Sequence, residues 1–283
     1  MTKCVVVIPV YSANPKPVEI ASLRQVLKVL NNHTIHLFTY EDLDIAVYKV
    51  VFEEYKKPFL VDFFDKSYFS SVEGYNRLCL TPTFYLQYIA FDYMLIYQLD
   101  AWVFNDSLQY WCDKNYDYIG APHFYSQGKN VTKEFMGVGN GGFSLRRIKY
   151  CLQILSRNKH LPYLKPSSLM NYYEKKLVYF RCHPIMVERI WIIVKVFFKS
   201  VGIKNSLGYF ICSNKINEDF IFGSWATLAW NAKVNIPSFD EATDFAFETN
   251  PSFLYNRIGK LPFGCHAFEK WEYDSFWREY IDV

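Results

Sequence analysis

Met94–Phe104 reads MLIYQLDAWVF, an apolar run with no polar residue before Gln98 and an acid at Asp100. A short continuous run of this kind predicts a strand buried on both faces. Working back from it, Phe59–Phe63, Ile35–Thr39 and Val5–Pro9 predict three further strands. Between them Val18–Leu30 is periodic, with Ile20, Leu23, Val26, Leu27 and Leu30 on one face. Ile45–Tyr55 predicts a second helix, and Val72–Ala90 a third that Pro82 restarts at a new first turn. This alternation predicts an α/β fold with a doubly wound, mostly parallel sheet and helices on both faces. Ligands bind such sheets beyond the carboxyl ends of the strands. That rule sets Tyr11–Ser12, Tyr40–Glu41, Asp62 and Asp100 along one edge.

Toward the C-terminus the pattern loosens. Tyr116–Ala121 and Gly142–Leu145 predict short strands, and Ile148–Ser156, Ser167–Tyr179, Asn217–Asn231 and Phe239–Phe247 predict helices. We read this part as a C-terminal elaboration of one domain spanning 1–283. Residues 186–201, MVERIWIIVKVFFKSV, admit two readings. One is a helix in a membrane interface with Trp191 and Phe197 immersed; the other is a core or lid helix.

Composition narrows the classes. The chain has 283 residues and a formal net charge of +3. No Lys/Arg block marks a nucleic-acid surface. The 23 Tyr and 25 Phe suit a cleft in which sugar faces stack on rings, and an A/T-rich genome would give the same excess. Cysteines at 4, 79, 112, 151, 182, 212 and 265 form no CxxC pair. Dispersed and odd in number, they predict reduced thiols and a cytoplasmic setting. CVVVIPV near the start is too short for a signal-peptide core and reads as the first strand. No apolar run reaches the ~18–20 residues of a spanning helix.

Four segments carry candidate chemistry. Asp100 ends a strand at the cleft edge, where Mg²⁺ or Mn²⁺ would take a carboxylate together with substrate phosphates. Such a cation would neutralise the charge built on a departing diphosphate. Alternatively Asp100 caps a helix at Ser107–Tyr110. Val138–Arg146, VGNGGFSLR, removes side chains where a backbone approaches a ligand or takes positive φ; a plain hairpin has the same composition. It is neither a Walker A loop nor GxGxxG. Glu218-Asp219, in NEDFIF, reads as a helix-start turn capped by Asn217 or as a general base with its partner acid. Gly264-Cys265-His266 offers an imidazole as a second ligand for Mn²⁺.

The ordered set YQLDAWVF, DYIGAPHF, VGNGGFSLR, NEDFIF and LPFGCHAFEKW resembles a bacterial family of uncharacterised proteins grouped with GT-A-fold glycosyltransferases, over roughly residues 4–275. More distantly the layout is similar to β-1,4-galactosyltransferases and Fringe-type enzymes. The resemblance implies a GT-A-like fold with a nucleotide-binding half at 1–105 and an acceptor and catalytic half at 106–283. It implies inverting transfer from a nucleotide-sugar, a UDP-sugar foremost, to a saccharide or lipid-linked acceptor in surface polysaccharide or lipopolysaccharide synthesis. The setting it implies is cytoplasmic, at the inner face of the membrane. By position Asp219 is the base, Glu218 holds the acceptor, and Asp100 and His266 bind Mn²⁺ or Mg²⁺. Donor contacts fall on Pro9, Val10, Tyr11, Ser12, Gln98, Asp100, Gly141 and Gly142, with Arg77 as a cation for the diphosphate or as a surface salt bridge. The chain departs from the pattern in two places. Gln98-Leu99-Asp100 stands where Asp-x-Asp is usual, and residues 143–217 separate the glycines from the acids. A nucleotidyltransferase would want a glycine-and-basic loop at Tyr11–Pro17, which has neither Gly nor Arg. A non-catalytic carbohydrate- or nucleotide-binding protein on a degenerate transferase fold is the second rival.

Overall fold

The computed structural model describes residues 2–127, 130–157, 165–180, 186–206, 208–209, 217–225 and 234–283. The first strands are β1 (Cys4–Pro9), β2 (Thr34–Thr39), β3 (Leu60–Phe63), β4 (Tyr93–Tyr97), β5 (Ala101–Val103) and β6 (Tyr118–Ile119). They are followed by β7 (Pro122–Gln127), β8 (Asn130–Val138), β9 (Phe143–Arg147), β10 (Ala246–Phe247) and β11 (Gly264–His266). A six-stranded sheet has the order β3-β2-β1-β4-β9-β6. Its first four strands are parallel, and β9 runs antiparallel to both β4 and β6. The fold is therefore the expected α/β class with a mostly parallel sheet.

Every residue of β1 is buried, and alternation sends Val5 and Val7 to one apolar layer and Val6 and Ile8 to the other. Helix α1 (Pro17–Val29) faces the second layer through Leu23, Val26 and Leu27. Its Pro17 sits in the first turn, where a missing N–H breaks no helical bond. Helix α2 (Ala46–Glu54) buries Val51 and Phe52 in the same layer. The third predicted helix is two: α3 (Val72–Cys79) and α4 (Pro82–Gln87), divided at Thr81, whose hydroxyl accepts from Phe84 N–H. Both pack on the first layer, so the sheet is covered on its two faces. Because β1 has β2 on one side and β4 on the other, a crevice opens between the carboxyl ends of β1 and β4.

The second half adds what the sequence pattern did not announce. β7 and β8 form a separate hairpin. A small sheet of order β10-β11-β5 pairs His266 with Ala101 and Cys265 with both Trp102 and Phe247. A third apolar cluster, with Trp102, Phe247, Phe268 and Trp277, backs this sheet and forms the C-terminal elaboration. The predicted helix 239–247 stops at Phe245 because Ala246–Phe247 turns into β10. The predicted helix Asn217–Asn231 is described only to Trp225, where Phe220–Trp225 forms a π-helical turn; residues 226–231 lie outside the described residues. Cys4, Cys79, Cys112, Cys151 and Cys265 are buried and free, while Cys182 and Cys212 lie outside the described residues.

Asp62 corrects the edge assignment. It pairs with Phe38 inside the sheet, lies 2.7 Å from His36 Nδ1 and accepts from Gln87 Nε2 at 2.6 Å. Helices α5 (Leu108–Asp113), α6 (Ile148–Arg157) and α7 (Pro166–Phe180) precede α8 (Met186–Ser200). Ile192 and Val196 are buried, whereas Trp191 and Phe197 are 60% and 64% exposed. The core-helix reading thus accounts for one edge of it. Among the described residues no helix is long and apolar enough to cross a membrane.

Candidate active site

The glycine-rich turn joins β8 to β9 at the open end of the crevice, where Gln98 N–H donates to Gly142 O at 2.8 Å. Positive φ, expected at a glycine, falls on Asn140 instead (φ 73°). The glycines serve close approach. A Cβ on Gly139 would collide with the His123 ring, one on Gly141 with the Glu218 carboxylate, and one on Gly142 with His266 Nε2. Three side chains from three distant segments press on one turn.

Glu218 is held from behind. Its Oε1 accepts from Arg146 Nη2 at 2.5 Å, and both residues are buried. The guanidinium also donates to Ser144 Oγ, Tyr85 Oη and Gly141 O. Tyr118 and Phe222 present their rings to it at 5.6 and 5.7 Å. Burial raises the Glu218 carboxyl above its ordinary value, Arg146 opposes that, and Asp219 adds to it. Next along the chain, Asp219 Oδ2 accepts from Asn140 N–H at 2.9 Å and lies 3.5 Å from His123 Nε2. Its Oδ1 accepts from Phe220 N–H at 2.7 Å. The turn and the acids, separated in sequence by residues 143–217, are in contact.

His266 reaches the same place through the small sheet. Register sets it beside Ala101, the residue after Asp100, and beside β10, which ends just before Glu248. Its Nε2 lies 3.2 Å from Asp100 Oδ1 and 3.1 Å from Gln98 Oε1, and its Nδ1 lies 3.4 Å from Glu248 Oε1. Burial disfavours charge on the ring, yet Asp100 and Glu248 outweigh it and push His266 up to about 10. In turn His266 overrides desolvation to hold Asp100 and Glu248 below their ordinary values. Among the described residues no group of three or more His, Cys, Asp or Glu could hold a metal ion. The oxygen and imidazole donors at hand suit Mn²⁺ or Mg²⁺ only where phosphate oxygens complete the shell. Binding there would displace the His266 proton.

Two cavities adjoin at this point. The larger, about 540 Å³, has Tyr11, Tyr75, Asn140, Gly141 and Gly142 in its wall, together with Glu218, Asp219, Glu248, His266 and His123. The smaller, about 310 Å³, is lined by Pro9, Tyr11, Ser12, Tyr48, Asp100, Lys16 and Lys270. Tyr11 and Gln98 belong to both walls. Tyr75 Oη and Asn140 Nδ2 are buried with no hydrogen-bond partner, and both residues line the larger cavity. Orphaned polar atoms at a cavity wall are what a polar ligand satisfies.

Most of the expected site residues therefore meet here, with two corrections. Val10 lines neither cavity; it is buried, and its N–H donates to Phe38 O. Arg77 lines neither, because α3 turns Gly74, Tyr75, Leu78 and Cys79 inward and leaves position 77 exposed. Lys16 and Lys270 supply the cationic wall instead. His123 and Glu248 were missed. Glu248 carried the same signal as Asp100, an acid closing an apolar run, here Phe245-Ala246-Phe247.

The family model described as "Protein of unknown function (DUF5672)" matches residues 58–266, most of the chain, and the protein belongs to that family. No curated protein matches in sequence. Among solved structures the chain is similar to core-mannan synthase A (CmsA/Ktr4) from Aspergillus fumigatus in its Mn/GDP form. That match has 8% identity and a TM-score of 0.42, and covers 78% of this chain and 72% of that one. S. aureus TarS 1-349 aligns with 12% identity and a TM-score of 0.37, over 56% of this chain and 50% of that one. A putative glucose-1-phosphate thymidylyltransferase from Bacillus anthracis, in complex with a sucrose, aligns with 13% identity and a TM-score of 0.35. It covers 62% of this chain and 84% of that one.

Two outcomes follow from this geometry. Arg146→Ala strands a buried carboxylate and should cost about 3–5 kcal/mol in urea unfolding. Arg146→Met combined with Glu218→Leu should recover most of that loss, and a double variant no more stable than the single would mean the pair is not the source. For His266, folding raises the pKa above its ordinary 6.5. The stability it contributes is thus fully present below that pH and fades as pH climbs toward 10. In metal-free buffer the melting temperature of wild type should fall faster over this range than that of His266→Gln; parallel curves would refute the assignment.

Proposed function

We propose that this DUF5672 member is an inverting, GT-A-type glycosyltransferase. In this reading it moves a sugar from a nucleotide-sugar, a UDP-sugar foremost, to a saccharide or lipid-linked acceptor in surface polysaccharide or lipopolysaccharide synthesis on the cytoplasmic side. The observation that carries it is the adjacency of two chemically different cavities across Tyr11 and Gln98. The smaller offers lysines and the Asp100 carboxylate to a diphosphate; the larger offers paired carboxylates to a hydroxyl, and His266 on its wall lies 3.2 Å from Asp100. The nucleoside takes the smaller cavity beside Pro9, Tyr11, Ser12 and Tyr48, so residues 1–105 supply most of the donor site, with Lys270 added from the 106–283 half that carries acceptor and chemistry.

Asp219 takes the proton as the acceptor oxygen attacks the anomeric carbon. The carbon–oxygen bond to the diphosphate breaks as the new one forms, and the electron pair leaves with the nucleotide. Asn140 N–H and Phe220 N–H fix the Asp219 carboxylate, and Glu218, braced by Arg146, holds the neighbouring wall. Lys16 and Lys270 balance the leaving charge. Asp100 and His266 would hold a divalent cation, which, bound with the donor, neutralises the diphosphate as it departs.

Asp219→Asn should leave melting temperature and donor affinity nearly intact while transfer falls 10²–10⁴-fold. Asp100→Asn and His266→Ala should each weaken Mn²⁺-dependent UDP binding by at least tenfold, or ~1.4 kcal/mol. Calorimetry and turnover with a panel of sugar nucleotides read both. Full turnover in Asp219→Asn removes the base, and unchanged affinity in both metal-site variants removes the cation. Nucleotide binding without donor hydrolysis by any panel member would turn the protein into a binder.

A further inference from the structure

We infer that α8 docks the protein on an anionic bilayer surface, lying in the headgroup region with its outward face immersed. The inference stands apart from the transferase reading and rests on a different part of the molecule. Ile192 and Val196 are 7% exposed and join the first apolar layer, which fixes the rotation of the helix. The opposite side is left open: Ile190, Trp191, Ile193, Val194, Phe197 and Phe198 are between 38% and 64% exposed. At helical spacing these six residues fill one arc of about 160°, from Ile193 round to Trp191. Val201 and Ile203, 61% and 51% exposed, extend it past the helix end.

Charge decides the occupant. From 189 to 206 the sequence carries Arg189, Lys195, Lys199 and Lys204 and no Asp or Glu. The acid Glu188 falls in the first turn. Arg189 lies about 40° outside one margin of the arc and Lys195 about 40° outside the other. Cations along both margins let aliphatic stems follow an immersed helix while the charged heads stay among phosphates. Anionic headgroups then add an attraction that salt screens. A second copy of the same face would set cationic margin against cationic margin, which disfavours self-association. At 15 residues the helix is too short to cross a bilayer and suits a position parallel to its surface.

The test is flotation of the full chain with phosphatidylcholine vesicles containing or lacking phosphatidylglycerol. Wild type should float with the anionic vesicles, and the bound fraction should fall as salt rises. Trp191→Glu with Phe197→Glu should lower the partition coefficient at least tenfold at unchanged melting temperature, since both positions face solvent. A conservative second variant covers the case of misfolding. With brominated acyl chains, wild-type tryptophan emission should be quenched by a component that Trp191→Phe removes, while Trp191→Phe still floats. Wild type remaining in the dense fraction, or equal flotation of wild type and the double Glu variant, overturns the inference. So does sedimentation of wild type as a dimer that the double Glu variant abolishes, with neither floating.

Discussion

The buried ion pair between Arg146 and Glu218 is the constraint on which the site depends. Removing both charges from water is expensive, and the attraction between them repays it only when every remaining donor is satisfied. Here the guanidinium reaches a hydroxyl, a phenol, a backbone carbonyl and the carboxylate, flanked by two rings. That satisfaction requires β9, the glycine turn, α4 and the acidic turn to be in place together. An apolar pair would fill the volume but would not specify which way the carboxylate of residue 218 faces. Asp219 gets its position as the next residue in the same turn, so the polar core determines where the candidate base stands.

A second fixed point is the small sheet. Two- and three-residue strands contribute little burial of their own, and the aromatic cluster around Trp102, Phe247, Phe268 and Trp277 holds them. Through it, an acid that immediately precedes one strand and an imidazole that ends another become neighbours across a backbone ladder. The result around the crevice is an alternation of acids and imidazoles, from Asp100 to His266 to Glu248, with His123 and Asp219 beyond. His266 lowers the cost of burying the carboxylates of Asp100 and Glu248.

This contrast also explains what could be read from the sequence. The parallel half was legible because its strands are short, mostly apolar runs and its longer helices show their 3.6-residue phase. Position 77 lies outside both cavities, as its phase allowed one to read, since Tyr75, Leu78 and Cys79 point inward. The acids, the glycines and His266 could be named but not joined, because no local pattern spans residues 143–217. Glu248 is placed by the register of a two-residue strand, for which periodicity gives no signal, and His123 by the β7–β8 hairpin, whose place beside the acids no local pattern shows. Arg146 closes VGNGGFSLR, yet a cation at a strand end looks the same in sequence whether it faces water or a buried carboxylate.

The turn at 139–142 has one more consequence. Each of its three glycines is in contact with a different partner, His123, Glu218 or His266, so the spacing between the sheet edge and those groups equals the thickness of bare backbone. There is no slack on either side. A methyl group gained at 141 can be accommodated only if about one is lost at 218, and the same holds between 142 and 266 and between 139 and 123. Changes at this turn must therefore come in complementary pairs of size, and at position 142 Gln98 is a second neighbour that shares the constraint with His266.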